Sequence, residues 1–179
     1  MTTMQRFLVA GAILLLALPA AAVAQGTPEG FRGEFLRQFN ASMGKFEALA
    51  REMPDSAYAW SPGPEAMSVA RVYGHVARYN YYYPAESLGF PAPENADLAA
   101  MESITSKAEL VALLERSGEH VRAAVAEGTD AEWAATTRLY GREVPRWTVL
   151  LQLITHMNEH LGQSIAYARM NGVVPPWSR

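Results

Sequence analysis

Two of the four histidines in this chain fall in one short stretch, T-H-M-N-E-H-L-G-Q, from Thr155 to Gln163. An α-helix turns by about 100° per residue, so His156 and His160 differ by about 40° and lie one turn apart on the same face. Imidazoles placed this way bring their ring nitrogens together beside the helix, and because each is neutral at pH 7 the pair can grip one divalent ion. Gln163 falls within about 20° of His156 by the same count, placed to orient a ligand or a bound water, or to hydrogen-bond backbone. A metal needs at least a third ligand, and the chain has no cysteine to supply it. His75, in the apolar-periodic segment R-V-Y-G-H-V-A-R-Y-N, is read as that ligand. His120 lies among Glu115, Glu119 and Arg122 and is expected on a solvated surface.

The elements that must position these residues read as helices. Phe31, Phe35, Leu36, Phe39, Met43, Phe46, Leu49 and Ala50 recur at spacings of three and four and predict an amphipathic first helix ending before Pro54. Pro54-Asp55 and Ser61-Pro62-Gly63-Pro64 mark a connection too rich in proline to be helical, with Trp60 as a packing anchor. Ser68 is a suitable N-cap for a second helix carrying His75 and running to about Leu88, with Pro84 a candidate kink or early end and Gly89 and Pro91 as stops. Tyr79 and Tyr82, within about 40° of His75, either line the mouth of a site or pack in the core. Residues 91–103 read as a long surface connection. Ser106 and Glu109 form a capping box for a third helix with Leu110, Leu113, Leu114 and Val121 on its apolar stripe. After Gly128 the chain reads as a helical turn and a short extended excursion. Pro145 then opens the last helix, which runs to Asn171 with Gly172 beyond its end and with Leu150, Leu151, Ile154, Met157, Leu161 and Ile165 on one arc. The histidines sit at the border of that arc, where bundle metal sites are built. The expectation is an all-α four-helix bundle without a sheet.

The first 24 residues read as a cleavable signal peptide. Arg6 precedes an apolar run from Phe7 to Leu18, and Ala22-Val23-Ala24 is an A-x-A cleavage pattern. The run is shorter than the roughly 18 to 20 residues that span a bilayer, so stable membrane insertion after cleavage is not expected. Removing residues 1–24 leaves a single domain, 25–179, with fourteen basic and eighteen acidic side chains. Such a mildly acidic domain without a basic run has no electrostatic footprint for nucleic acid. The expected location is exported, periplasmic or secreted, where a chain without cysteine depends on packing for its stability.

Taken together, the H-V-A beginning at His75, the H-x-x-x-H-x-G-Q from His156 to Gln163 and the exit A-R-M-N-G-V-V-P-P resemble the DinB/YfiT-like superfamily of metalloproteins over essentially the whole mature chain. The resemblance implies an up-up-down-down four-helix bundle, often homodimeric, with a divalent metal held by His75, His156 and His160. It also implies a small-molecule substrate, since characterised members include transferases and isomerases that use low-molecular-weight thiols. Three nitrogen ligands leave a coordination position open, the layout of a catalytic site, and imidazole suits zinc or nickel. The reading is therefore a metal-dependent transferase or hydrolase, with a non-catalytic metal- or ligand-binding envelope protein as the alternative. His156 to His160 also fits the protease pattern H-x-x-E-H, but residues 161–179 contain no Asp or Glu to supply its downstream carboxylate ligand.

Overall fold

The computed structural model describes residues 30–179. The expected signal peptide and its cleavage point lie outside the described residues. Four long helices make up most of the fold: α1 (Phe31–Glu52), α2 (Val69–Tyr83), α3 (Lys107–Glu127) and α5 (Arg146–Met170). A short helix α4 (Asp130–Ala134) and an antiparallel hairpin of β1 (Thr136–Leu139) and β2 (Arg142–Pro145) lie between α3 and α5. The expectation of no sheet is corrected by this hairpin, whose strands of four residues each are too short to show a convincing alternation in sequence. No helix among the described residues is long and apolar enough to cross a membrane.

The helix boundaries follow from local chemistry. Ser68 Oγ accepts the Arg71 amide at 3.2 Å and Ser106 Oγ accepts the Glu109 amide at 3.4 Å, each satisfying an orphan N–H of a first turn. The full reciprocal capping box belongs to α4, where the Thr129 hydroxyl and Glu132 carboxylate exchange bonds with each other's backbone N–H. Pro84 cannot donate to the helical ladder, and from there to Leu88 the backbone widens into a π-helical turn closed by Gly89 in the left-handed region at φ 75°. At the other end of the chain, Gly172 N–H to Arg169 O and Val173 N–H to Ala168 O terminate α5 in a Schellman motif.

The core is filled by Phe39, Met43, Phe46 and Leu49 of α1, Val72, Tyr73 and Val76 of α2, Leu110, Leu114 and Val121 of α3, and Leu150, Leu153 and Met157 of α5, all buried. On α5 the burial is rotated from the expected arc: Val149 and Leu153 are buried, whereas Leu151 is exposed. Trp60 packs edge-on against Tyr167 at 5.2 Å, as an anchor should.

The contacts fix the direction of each helix. Along α1 and α5, Phe31 meets Trp147 and Ser42 meets Asn158, so the two are parallel. Along α1 and α3, Arg32 meets Ala126 and Arg51 meets Glu115, so they are antiparallel. Phe46 with Tyr73 and Met43 with Asn80 set α2 against α1, and His75 with His160 and Tyr83 with Gln152 set α2 against α5. In chain order the long helices therefore run up, down, down, up, which corrects the up-up-down-down order implied by the resemblance. The physical reason lies in the two connections. Residues 53–68 stay at one end of the bundle, pinned by the Tyr58 hydroxyl on Ala50 O at 2.7 Å and by Ala70 N–H on Tyr58 O at 2.9 Å, which reverses the chain. Residues 89–106 instead return along the flank of α2, so α3 starts from the same end as α2.

That return is possible because of Gly74. A Cβ there would lie 2.2 Å from the Met101 carbonyl oxygen, so only glycine lets the turn Met101–Ser103 lie directly on α2. Alanine favours helix over glycine by about 1 kcal/mol, but displacing a packed backbone costs about 1–3 kcal/mol. Gly74→Ala is accordingly expected to destabilise the protein by up to about 2 kcal/mol net, read as a lower urea midpoint at unchanged m-value.

Candidate metal centre

The seam between α2 and α5 brings the three expected ligands together. His75, His156 and His160 each offer a ring nitrogen, and these atoms all lie within 4.8 Å of one another. The rings pack at 4.7 Å for His75 with His160, 4.7 Å for His156 with His160 and 5.1 Å for His75 with His156. Because α2 and α5 are antiparallel, His75 sits opposite the turn that carries both α5 histidines.

Outer partners decide which nitrogens face inward. His75 Nδ1 lies 2.9 Å from Glu102 Oε1; a carboxylate only accepts, so Nδ1 carries the proton and Nε2 keeps its lone pair. His160 Nδ1 lies 2.8 Å from Gln163 Oε1, and the Gln163 amide is oriented by its Nε2 donating to the Tyr167 hydroxyl at 2.8 Å. His160 therefore also turns the lone pair of Nε2 away from its outer partner. His75 Nε2 and His156 Nε2 are 3.1 Å apart. Two lone pairs at that distance repel unless a proton or a cation stands between them. Ligands about 2.0–2.1 Å from a tetrahedral ion are about 3.3 Å apart, so the donor set suits a divalent ion.

Glu102 was not legible in sequence. It lies in the segment expected to be a surface connection, yet its side chain is only 17% exposed and binds His75, Arg78 at 3.1 Å and Arg71 at 3.1 Å. Burial would raise its carboxyl, but the hydrogen bonds from His75, Arg71 and Arg78 hold it below its ordinary value. The available signal is Gly74 beside His75, a helix-interior glycine that marks the close backbone approach delivering Glu102.

Tyrosines wall one side. Tyr79 packs at 4.4 Å from the His156 ring and 4.6 Å from His75, and Tyr82 packs behind it at 5.4 Å. The Arg78 guanidinium lies 5.2 Å over Tyr79. Burial lowers the pKa of His156 to about 4, helped by His160 and His75, and burial likewise lowers that of His75 against the pull of Glu102. Both are thus neutral and ligand-competent at neutral pH.

His120 stands apart from this cluster, and the expected solvated position is corrected. Its ring packs 4.9 Å from Tyr81, its Nε2 is buried without a partner, and burial lowers its pKa. The 89–106 connection covers the face that a helical wheel leaves open. Glu159, the acid of the H-x-x-E-H pattern, is exposed.

The model of the DinB superfamily matches residues 38–164. The chain belongs to the DinB superfamily. Among solved structures, a DinB-like protein of Bacillus cereus superposes with a TM-score of 0.70 at 20% identity, covering 84% of this chain and 97% of its own. A DinB-like protein of Bacillus subtilis gives 0.63 at 18% identity, covering 79% and 93%. At such identities the likeness shows the shared fold. Comparison with curated proteins gives no match.

Outer partners of this kind typically contribute 10–100-fold to metal affinity. Glu102→Gln, which keeps an acceptor on His75 but removes the charge, is expected to weaken zinc binding by about tenfold in a chelator competition with the helical content unchanged. Acid should act on the metal-free protein through the histidines. Unfolded His156 takes up a proton near 6.5 and the folded one only near 4, so between those values the unfolded state binds more protons. The thermal midpoint of the metal-free protein is expected to fall as pH drops from 6.5 to 4, a loss that His156→Gln reduces.

Proposed function

We propose that this DinB-superfamily protein binds one divalent metal through His75, His156 and His160 and uses it as an enzyme of transferase or hydrolase type on a small molecule. The observation that carries the reading is the convergence of three imidazoles, two of which already have their outer nitrogens committed, His75 to Glu102 and His160 to Gln163. Zinc or nickel suits such a set. Bound there, a divalent ion supplies Lewis acidity that lowers the pKa of a water or thiol. The chain's own residues hold the tautomers through Glu102 and Gln163, and Tyr79 and Tyr82 exclude water from one side of the site. Export, a periplasmic or secreted location and a homodimer belong to the same proposal.

A non-catalytic metal- or ligand-binding role in the envelope is the second reading. What favours it is that Glu102, the carboxylate on the triad, is already bound by His75, Arg71 and Arg78 and is poorly placed to move a proton.

Elemental analysis of protein purified without chelator or nickel affinity media tests the common core of both readings. About one equivalent of zinc or nickel is expected in the wild type, with loss in His75→Ala and in His156→Ala. Wild-type protein that stays metal-free after incubation with both ions would overturn them. With metal established, turnover of an activated ester or thiol acceptor separates the enzyme from the binding protein.

A further inference from the structure

The hairpin carries a backbone conformation that its sequence does not favour. Leu139 pairs with Arg142, leaving Tyr140 and Gly141 as a two-residue turn with φ of 50° and 78°. Both positive values define a type I′ turn, whose first position favours Asn, Asp or Gly. A bulky tyrosine in the left-handed region is strained, and such outliers cluster at ligand-binding sites. Tyr140 is also 62% exposed, so burial of its ring does not offset the cost.

Its hydroxyl supplies the missing reason. Tyr140 Oη lies 2.5 Å from Tyr83 Oη, and Tyr83 is 1% exposed with its ring 5.2 Å from Tyr79 and 5.9 Å from His156. The hairpin is bolted in place by hydrogen bonds in both directions with the π-helical turn: Ser87 Oγ donates to Arg138 O at 2.8 Å, and Thr137 Oγ1 donates to Ser87 O at 2.5 Å. The Tyr140 hydroxyl is therefore held on Tyr83, whose ring in turn packs beside His156.

The polarity of the chain follows from the donors. Gln152 Nε2 can only donate, and it reaches Tyr83 Oη at 3.5 Å. Either hydroxyl can donate in the Tyr83–Tyr140 bond, and the arrangement that also gives the buried Tyr83 proton an acceptor has Tyr83 donating to Tyr140. The Tyr140 proton is left free to point outward to a ligand. Gln152 precedes His156 by four residues, so Gln152 lies about 6 Å along α5 from the nearest histidine.

We propose that Tyr140, supported by Tyr83 and Gln152, is the specificity contact of the site, donating a hydrogen bond to an acceptor group several bonds removed from the metal-binding head of the ligand. The inference rests on the metal reading above. It assigns the ligand class as a small molecule with a metal-coordinating end and a separate carboxylate or carbonyl oxygen. A ligand consisting of the head alone gains nothing from Tyr140.

The cobalt(II)-loaded protein tests this through its visible spectrum, titrated with acetohydroxamic acid as head alone and with succinic monohydroxamic acid as head plus carboxylate. A charge-assisted hydrogen bond is worth about 1.5–3 kcal/mol, so the wild type is expected to bind the second probe about tenfold or more tightly than the first. Tyr140→Phe should abolish that preference while leaving cobalt content and acetohydroxamate affinity unchanged. Tyr140→Asn, which suits a type I′ turn, should raise the melting temperature and abolish the preference equally; a purely structural Tyr140 would not link those two changes. Protein that takes up cobalt and shows no preference, or keeps it in both variants, overturns this inference alone. Protein that takes up no cobalt overturns this inference, and the metal reading falls with it where zinc and nickel are refused as well.

Discussion

The hydrogen bond from His75 Nδ1 to Glu102 is the contact on which the rest of the site depends. It fixes one tautomer and so determines that the lone pair of Nε2 faces the two histidines of α5. Both partners are largely shielded, at 13% and 17% side-chain exposure, and in that low-dielectric setting the bond is stronger than it would be in water. Its geometry in turn requires the 89–106 connection to run against α2, and that approach requires the absence of a side chain at Gly74. A missing methyl group on one helix is thus coupled, through backbone packing, to the protonation pattern of the adjacent imidazole.

The same connection explains which parts of the molecule could be read from sequence. His156 and His160 are four residues apart on one long helix, so their shared face follows from helical geometry alone, and His75 lies on a segment with equally clear periodicity. Glu102 reaches His75 across 27 residues through irregular backbone, where periodicity has nothing to report. His120 was misplaced for a related reason. A helical wheel describes a helix in solvent, whereas Tyr81 and the covering connection turn that polar face into a half-buried one. The long helices were legible because their apolar stripes repeat over many turns; the hairpin depends on four residues per strand and a turn whose first residue is atypical.

Departures from regular backbone gather on one side of the site. The π-helical turn at Pro84–Leu88, the left-handed Gly89 and the left-handed Tyr140 belong to two segments that hydrogen-bond each other through Ser87, Thr137 and Arg138. On the opposite side, Gln163 and Tyr167 continue an ordinary helix that ends in a Schellman motif. The regular side orients His160 by i,i+3 and i,i+4 contacts within α5. The irregular side brings the Tyr140 phenol from the hairpin against Tyr83 of α2.

This asymmetry bears on how a site of this type acquires specificity. Three histidines on two antiparallel helices are held by the bundle core, and changing their spacing would require changing Phe46, Tyr73 or Met157, which are all buried. The hairpin carries no such constraint. Only Leu139 of its ten residues 136–145 is buried, and the two-residue turn tolerates other side chains at position 140. A family sharing the helical frame can therefore keep the three-histidine arrangement while varying the hairpin turn, because the histidines lie on buried helices and the turn lies on an exposed hairpin.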